Sequence, residues 1–97
     1  MKSEMKIIFR IHAVERMFER NIDEADVVRI VEHGKIIEEY PEDTPYPSCL
    51  ALGYAKKGTA GPIHVVYAVN GDERIVITVY RPDAKRWNES FDRRVEQ

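Results

Sequence analysis

Histidine and arginine side chains recur every four residues near the start of the chain. His12, Arg16 and Arg20 stand at positions i, i+4 and i+8, which places them along one flank of a helix. Histidine is a natural acid or base near neutral pH, and the arginine fork matches two phosphate oxygens. The stripe therefore offers one group for proton transfer and two groups that could hold a phosphate.

A second polar group lies in the C-terminal half of the chain, within and just after two β-branched segments. Its members are His64, Arg74, Thr78, Tyr80 and Arg81. Tyr80 and His64 are candidates for proton transfer, and the other three are candidates for holding a phosphate group. If the edge of the helix met the edge of these strands, the two groups would form one site.

Both groups also have purely structural explanations. On a helix, Arg16 and Arg20 lie near acidic neighbours with which they would form surface ion pairs. His12 would then cap or pack the start of that helix. The strand residues would form a polar outer sheet face with ordinary cross-strand pairs. The sequence leaves both alternatives open.

The remaining polar residues do not indicate a metal or cofactor. His12, His33 and His64 are far apart, and no HExxH, CxxC or phosphate-loop motif occurs. We therefore expect no metal site and no other cofactor. The one cysteine, Cys49, is predicted to be buried in a strand. The acidic stretch 38–43 is interpreted as a solvated strand edge and loop, which would repel phosphate or face a basic partner.

Two helices are predicted in the first third of the chain. In residues 12–20 the apolar positions share one face at about 100° per residue. The second helix follows Asp23, a good N-cap, and ends with His33 in its last turn and Gly34 just beyond. Residues 5–11 are predicted to be a short strand or an extended lead-in.

The remainder of the chain has the pattern of strands. Four strands are predicted, over residues 35–40, 49–55, 63–69 and 74–80. The segment 56–62 between the second and third strands is predicted to be a turn. Short connections between consecutive strands favour an antiparallel meander.

The register of the last hairpin decides which side chains share a face. A two-residue turn over 70–71 would pair Val69 with Asp72 and set Tyr67 opposite Arg74. A three-residue turn over 70–72 would pair Val69 with Glu73, and we prefer it because it keeps the apolar residues of both strands together. That apolar face would comprise Ile63, Val65, Tyr67, Ile75, Ile77 and Val79. The opposite face would comprise His64, Arg74, Thr78 and Tyr80.

These elements predict a two-layer α+β fold in a single domain over residues 1–97. Two N-terminal helices would pack on one face of a four-stranded antiparallel sheet. Residues 84–91 are predicted to form a short C-terminal helix, and residues 92–97 are expected to fray. We expect Trp87 to anchor this helix to the core; the alternative is that it stacks on a base.

Composition limits the class of protein. The 97 residues are 43% hydrophobic and 33% charged, which suits one soluble domain and not a disordered chain. The net charge is −2, so a polyanion would have to meet a local basic patch. No apolar run approaches the ~20 residues of a membrane span. With a single cysteine, we expect a cytoplasmic protein that does not contact a membrane.

Several short motifs are distributed over roughly residues 9–94. They are His12-Ala13-x-x-Arg16-Met17-x-x-Arg20-Asn21-Ile22, Gly34-x-Ile36-Ile37-Glu38, Tyr40-Pro41-x-Asp43-x-Pro45-x-Pro47-Ser48, His64-Val65-Val66 and Ile77-Thr78-Val79-Tyr80-x-Pro82-Asp83-x-x-x-Trp87. Together they resemble a small prokaryotic domain-of-unknown-function family, number 4258. Members of that family look like distant relatives of the RelE/ParE-like toxins of type II toxin–antitoxin systems.

The resemblance implies both an activity and a partner. The implied activity is metal-independent RNA cleavage by 2′-hydroxyl transesterification, with the working residues on the sheet and near the C-terminus. The implied partner is a small antitoxin of zinc-finger or helix-turn-helix type. The alternative is a non-catalytic protein-interaction module of the same fold, which binds a partner protein or forms a homodimer.

Overall fold

The computed structural model describes residues 5–56 and 61–95, so most of the predicted turn over 56–62 lies outside the described residues. The chain folds into two helices and a five-stranded mixed sheet, an α+β arrangement. The elements are β1 (Lys6–Phe9), α1 (Ile11–Arg20), α2 (Glu24–His33), β2 (Lys35–Tyr40), β3 (Ser48–Tyr54), β4 (Pro62–Asn70) and β5 (Glu73–Tyr80). Within these ranges, no helix is long and apolar enough to cross a membrane.

The sheet has the strand order β1-β5-β4-β3-β2. The predicted antiparallel meander is confirmed for β2 to β5. The expectation of only four strands is wrong, because β1 pairs in parallel with the first half of β5. Ile7 and Phe9 of β1 alternate with solvent-facing residues and pack against the core, which explains why this short segment joins the sheet as a strand.

Both predicted helices form within one residue of their expected limits. Asp23 occupies the N-cap of α2 in an extended conformation, although its side chain makes no capping hydrogen bond. Helix α2 lies so close to β3 that a Cβ atom at Gly53 would sit 2.3 Å from Cγ1 of Ile30. The absence of a side chain at Gly53 therefore allows α2 to pack on the sheet.

The hydrophobic core lies between the two helices and one face of the sheet. Its members are Ala13, Met17, Ile22, Val27, Ile30, Val31, Cys49, Ala51, Ile63, Val65, Tyr67, Val76 and Val79. The predicted burial of Cys49 is confirmed. We call this side of the sheet the helix face and the other side the second face.

The predicted register of the β4–β5 hairpin is wrong. Asn70 pairs with Glu73 around a two-residue turn in which Gly71 has a φ of 61°. A bulge at Ile77 then shifts the register by one residue, because β4 pairs with residues on both sides of it but not with Ile77. The bulge brings Val79 to the helix face and sets His64 opposite Tyr80.

The register also corrects the predicted content of the two faces. Ile75 pairs with Ala68 on the second face, whereas the sequence placed it with the core. Arg74 pairs with Val69 on the helix face, so the prediction that it shares a face with His64 is wrong. Thr78 shares the second face with His64, as predicted.

The C-terminal segment does not form the predicted helix over 84–91. Phe91 has a positive φ of 60°, and Trp87 pairs with Arg94 in an antiparallel bridge. Trp87 is only 4% exposed, which confirms that it anchors the segment. Its ring lies 4.4 Å from that of His64, so the segment covers part of the second face. Residues 96 and 97 of the predicted frayed tail lie outside the described residues.

Candidate functional site

The end of α1 meets the end of β5 at a pocket of about 240 Å³. Arg81 forms the junction, because its Nη2 donates hydrogen bonds to the carbonyl oxygens of Arg20 and Asn21 at 3.2 and 3.1 Å. These carbonyls belong to the last turn of the helix, where they have no partner inside the helix. The pocket is lined by Arg20, Tyr80, Arg81, Asp83, Arg86, Trp87 and Arg94.

The lining of this pocket, which we call the arginine pocket, is strongly cationic. Four arginines face one carboxylate, that of Asp83. Within the described ranges the guanidinium groups of Arg20 and Arg86 make no ion pair. Arginines without carboxylate partners around one cavity favour a bound anion, and phosphate is the anion whose oxygens fit the arginine fork.

Tyr80 connects the arginine pocket to a buried histidine. Nδ1 of His64 lies 3.2 Å from the Tyr80 hydroxyl, and Nε2 lies 2.8 Å from the carbonyl oxygen of Phe91. Because a carbonyl oxygen only accepts, Nε2 carries the proton and Nδ1 accepts a hydrogen bond from Tyr80. The two side chains therefore form a phenol–imidazole pair with a defined direction.

Burial keeps both members of this pair neutral. His64 is completely buried, and the loss of water lowers its pKa from the ordinary value of 6.5. Burial also raises the pKa of Tyr80 above its ordinary value of 10.0. At neutral pH the phenol keeps its proton and the imidazole has an open lone pair to receive it.

Arg94, which lines the arginine pocket, forms a hydrogen-bonded cluster with Glu38 and Tyr40 of β2. Arg94 donates to both oxygens of Glu38, from Nε at 2.8 Å and from Nη2 at 3.1 Å, and Tyr40 donates to the same carboxylate. Burial alone would raise the pKa of Glu38, but the hydrogen bonds from Arg94 and Tyr40 outweigh it and lower the pKa. Arg94 also lies 4.7 Å above the ring of Trp87, which holds its guanidinium at the pocket.

The predicted helical stripe is divided by the structure. His12 is 75% exposed and lies 3.5 Å from Glu15, while Arg16 pairs with Glu19 at 3.1 Å. Arg20 alone reaches the arginine pocket. His12 lies eight residues from Arg20 along the same flank, or about 12 Å of helix. The stripe therefore leads from an exposed histidine to the arginine pocket.

The residues predicted from the strands are also divided. Tyr80 and Arg81 line the arginine pocket and His64 touches it through Tyr80, so the edges of the helix and the sheet do meet. Thr78 lies on the same face as His64 but is not part of the lining. Arg74 lies at the opposite end of β5, on the helix face.

Sequence reasoning missed three features of the arrangement. Glu38 was interpreted as a solvated carboxylate, yet it is partly buried beneath Arg94. The roles of Arg94 and of the Phe91 carbonyl depend on how the C-terminal segment folds back. Glu38 and Arg94 are 56 residues apart, so opposite charge was the only available signal.

Comparison with known proteins gives one match. A family model described as "Domain of unknown function (DUF4258)" matches residues 9–81. No curated protein and no solved structure matches the chain. The matched range includes α1, His64 and Tyr80 but ends before Trp87 and Arg94, so part of the arginine pocket lies outside it.

Proposed function

From the premise that the chain belongs to the domain-of-unknown-function family DUF4258, we propose that it is a metal-independent ribonuclease of the RelE/ParE-like toxin class. It cleaves RNA by attack of a ribose 2′-hydroxyl on the neighbouring phosphate. In this proposal it acts in the cytoplasm, beside a small antitoxin protein.

One observation carries the proposal: a phenol–imidazole pair opens into a pocket lined by four arginines. Transesterification of RNA needs a base at the 2′-hydroxyl, cations at the phosphate and an acid at the leaving oxygen. The arginine pocket combines the first two requirements within one cavity.

The direction of the hydrogen bonds gives each residue a role. The Tyr80 oxygen accepts the proton of the 2′-hydroxyl while its own proton passes to Nδ1 of His64. The imidazolium that forms keeps its hydrogen bond to Phe91, and the nearby Glu38 carboxylate favours its charge. Arg20 and Arg86 hold the phosphate oxygens as negative charge builds on them.

The leaving 5′-oxygen needs a separate acid. His12 is too far away to be that acid, because about 12 Å of helix separates it from Arg20, whereas the leaving oxygen is bonded to the phosphorus held in the arginine pocket. Solvent water supplies this proton, since Arg20 and Arg86 of the pocket are exposed. Arg16 lies between His12 and Arg20 and would contact the next phosphate of the strand. An RNA strand would then run along α1 and end in the arginine pocket.

The experiment is cleavage of labelled single-stranded RNA by the purified chain at low salt with excess EDTA. We expect products with 2′,3′-cyclic phosphate ends, and no cleavage where the target ribose is replaced by deoxyribose. Tyr80→Phe and Arg86→Gln should abolish cleavage. Arg93→Gln is the matched control, because it removes an equal charge from the same exposed segment without touching the arginine pocket.

Two results would overturn the proposal. One is equal cleavage by the wild type and by Tyr80→Phe and Arg86→Gln, which would indicate a contaminating nuclease. The other is an absence of cleavage both on free RNA and on translating ribosomes. Testing ribosomes separates a toxin that requires the ribosome from a protein without the activity.

A non-catalytic protein-interaction module is the second candidate, and one observation favours it. Helix α1 carries a second apolar stripe besides its core face: Ile11 is 70%, Val14 49% and Phe18 88% exposed. An apolar stripe of this kind in water is typical of a surface that binds another protein. Abundant expression of the unmutated chain alone, together with inactivity on RNA, would support this candidate over the toxin.

A further inference from the structure

A second pocket lies at the opposite end of β5 from the arginine pocket, on the helix face of the sheet. Its volume is about 260 Å³, slightly below the ~300 Å³ at which pockets begin to hold drug-sized ligands. It lies where the helices leave the sheet uncovered, beside the proline-rich loop between β2 and β3. The residues that matter for its chemistry are Ile36, Glu39, Cys49, Tyr67, Val69 and Arg74.

The floor of this pocket is apolar. Cys49 and Tyr67 are cross-strand neighbours, and both are nearly fully buried. The described residues contain no buried side-chain nitrogen or oxygen without a hydrogen-bond partner, so the floor makes no strong polar demand on a ligand. Ile36 and Val69 extend the apolar surface. The part of a ligand that contacts the floor would therefore be hydrocarbon.

Arg74 provides the single cation of the wall. Its Nη1 donates to the carbonyl oxygens of Gly71 at 2.8 Å and of Glu73 at 3.1 Å, which fixes the guanidinium at the end of the hairpin. In residues 5–56 and 61–95 no carboxylate pairs with it, and both of its side-chain hydrogen bonds use Nη1. The Nη2–Nε edge is thus open for a bidentate anion.

We propose that this pocket, the Arg74 pocket, binds a small monocarboxylate with an aromatic or branched aliphatic body. The carboxylate would take the open edge of Arg74, and the hydrocarbon body would cover Tyr67 and Val69. This inference is independent of the ribonuclease proposal, since the two pockets share no lining residue.

The surroundings favour a carboxylate over a nucleic-acid phosphate. A phosphate chain needs several cations, and the Arg74 pocket has one, with the acidic Glu39 also in its lining. A singly charged ligand balances one arginine, and its apolar body gains from contact with the floor. Among the described residues no second arginine or lysine lines this pocket, so the phosphate role predicted for Arg74 from the sequence gains no support from its surroundings.

The test uses defined acids and their neutral counterparts. Benzoate, 3-phenylpropionate, 4-phenylbutyrate and 4-methylpentanoate are each titrated into the full chain beside their primary amides, and amide chemical shifts are followed by NMR. We expect at least one acid to shift the signals of Cys49 and Val69, with a dissociation constant at least about tenfold lower than that of its amide.

The single cysteine gives an independent readout. The bound acid should slow the reaction of the Cys49 thiol with a disulfide reagent, because that thiol lines the Arg74 pocket. Arg74→Met should abolish both the shifts and the protection, while Arg93→Met, an equal loss of charge elsewhere, should leave them intact. Circular dichroism of Arg74→Met checks that the fold survives.

Three outcomes would overturn the inference. The acids and amides could bind equally, which would make the Arg74 pocket merely apolar. Binding could persist in Arg74→Met, which would exclude the proposed contact. No acid in the set could produce shifts or protection, which would exclude a small monocarboxylate as the ligand.

Discussion

His64 accepts a hydrogen bond from Tyr80 across 3.2 Å while donating one to the backbone of the C-terminal segment. The two residues are opposite each other only because the bulge at Ile77 shifts the register of β5. The ring of Trp87 lies 4.4 Å from the imidazole and perpendicular to it, at an interplanar angle of 88°. The buried side chain of His64 thus links the sheet, the C-terminal segment and the wall of the arginine pocket.

Replacing Tyr80 by Phe should separate catalysis from folding. The change removes the proton donor of His64, so we expect cleavage to fall by at least ~100-fold if the pair performs proton transfer. The unfolding free energy should fall by only about 1–3 kcal/mol, because one buried acceptor loses its partner. Urea unfolding and single-turnover cleavage measure the two effects. Tyr54→Phe, on an exposed tyrosine, should change neither quantity.

The stability of the fold should depend on pH through His64. Because burial lowers its pKa in the folded state below 6.5, the unfolded chain binds the proton more readily. The contribution of the neutral imidazole is complete above pH 6.5 and is lost as the pH falls through the folded-state pKa, by up to about 1.4 kcal/mol for each pH unit.

Urea unfolding between about pH 5 and pH 8 tests this dependence against His64→Gln. The buried carboxylates do not interfere, because the pKa values of Asp26 and Glu38 are lowered from 3.8 and 4.5 and their effects lie further into acid. An identical slope in the wild type and in His64→Gln would contradict the assignment.

The fold was predictable from the sequence where local pattern decides structure. Helical periodicity with Asp23 and Gly34 at its ends located α2, and the β-branched runs located β4 and β5. The parallel pairing of β1 was not predictable, since four residues next to a helix carry no signal of which strand they join. The bulge at Ile77 was also not predictable from the sequence, because its effect is tertiary: it places Val76 and Val79 on the same face of the sheet, where both pack in the core.

The candidate site was predictable only in parts. Arg20, Tyr80 and Arg81 were identified by residue type, and the structure brings them to one pocket. The Glu38–Arg94 pair depends on a C-terminal segment that turns back at Phe91, where a positive φ interrupts a sequence that otherwise favours a helix. Long-range charge pairs of this kind follow from the tertiary fold and not from spacing.

If RNA binds in the arginine pocket, its affinity should fall with salt concentration by an amount set by the number of phosphate contacts. Each phosphate contact to single-stranded RNA contributes about 0.7 to the slope of log affinity against log salt. Arg20→Gln and Arg86→Gln should each weaken binding and reduce the slope by about that amount. Fluorescence anisotropy with a short uncleavable 2′-deoxy analogue gives the measurement. Arg93→Gln should leave the slope unchanged, and an equal loss in that control would mean that only overall charge matters.

Gly53→Ala should destabilise the packing of α2 on β3. The added Cβ would lie 2.3 Å from Cγ1 of Ile30, a side chain that is only 2% exposed. We expect a loss of about 1–3 kcal/mol in unfolding free energy. In an Ile30→Ala background the same change should cost less, because the clashing carbons are gone. A double-mutant cycle measured by thermal or urea unfolding detects this coupling, and strict additivity would contradict the contact.

Adjacent residues on α1 should respond in opposite ways to truncation. Met17 is buried in the core, so Met17→Ala should cost about 2–5 kcal/mol of unfolding free energy. Phe18 is 88% exposed, so Phe18→Ala should change that free energy by no more than about 0.5 kcal/mol. If the exposed stripe of α1 binds a protein, Phe18→Ala should nevertheless abolish that association, as measured by sedimentation with the partner or with the chain itself. A large loss of stability in Phe18→Ala would instead show that Phe18 packs within the folded chain, and the stripe would no longer support a binding surface.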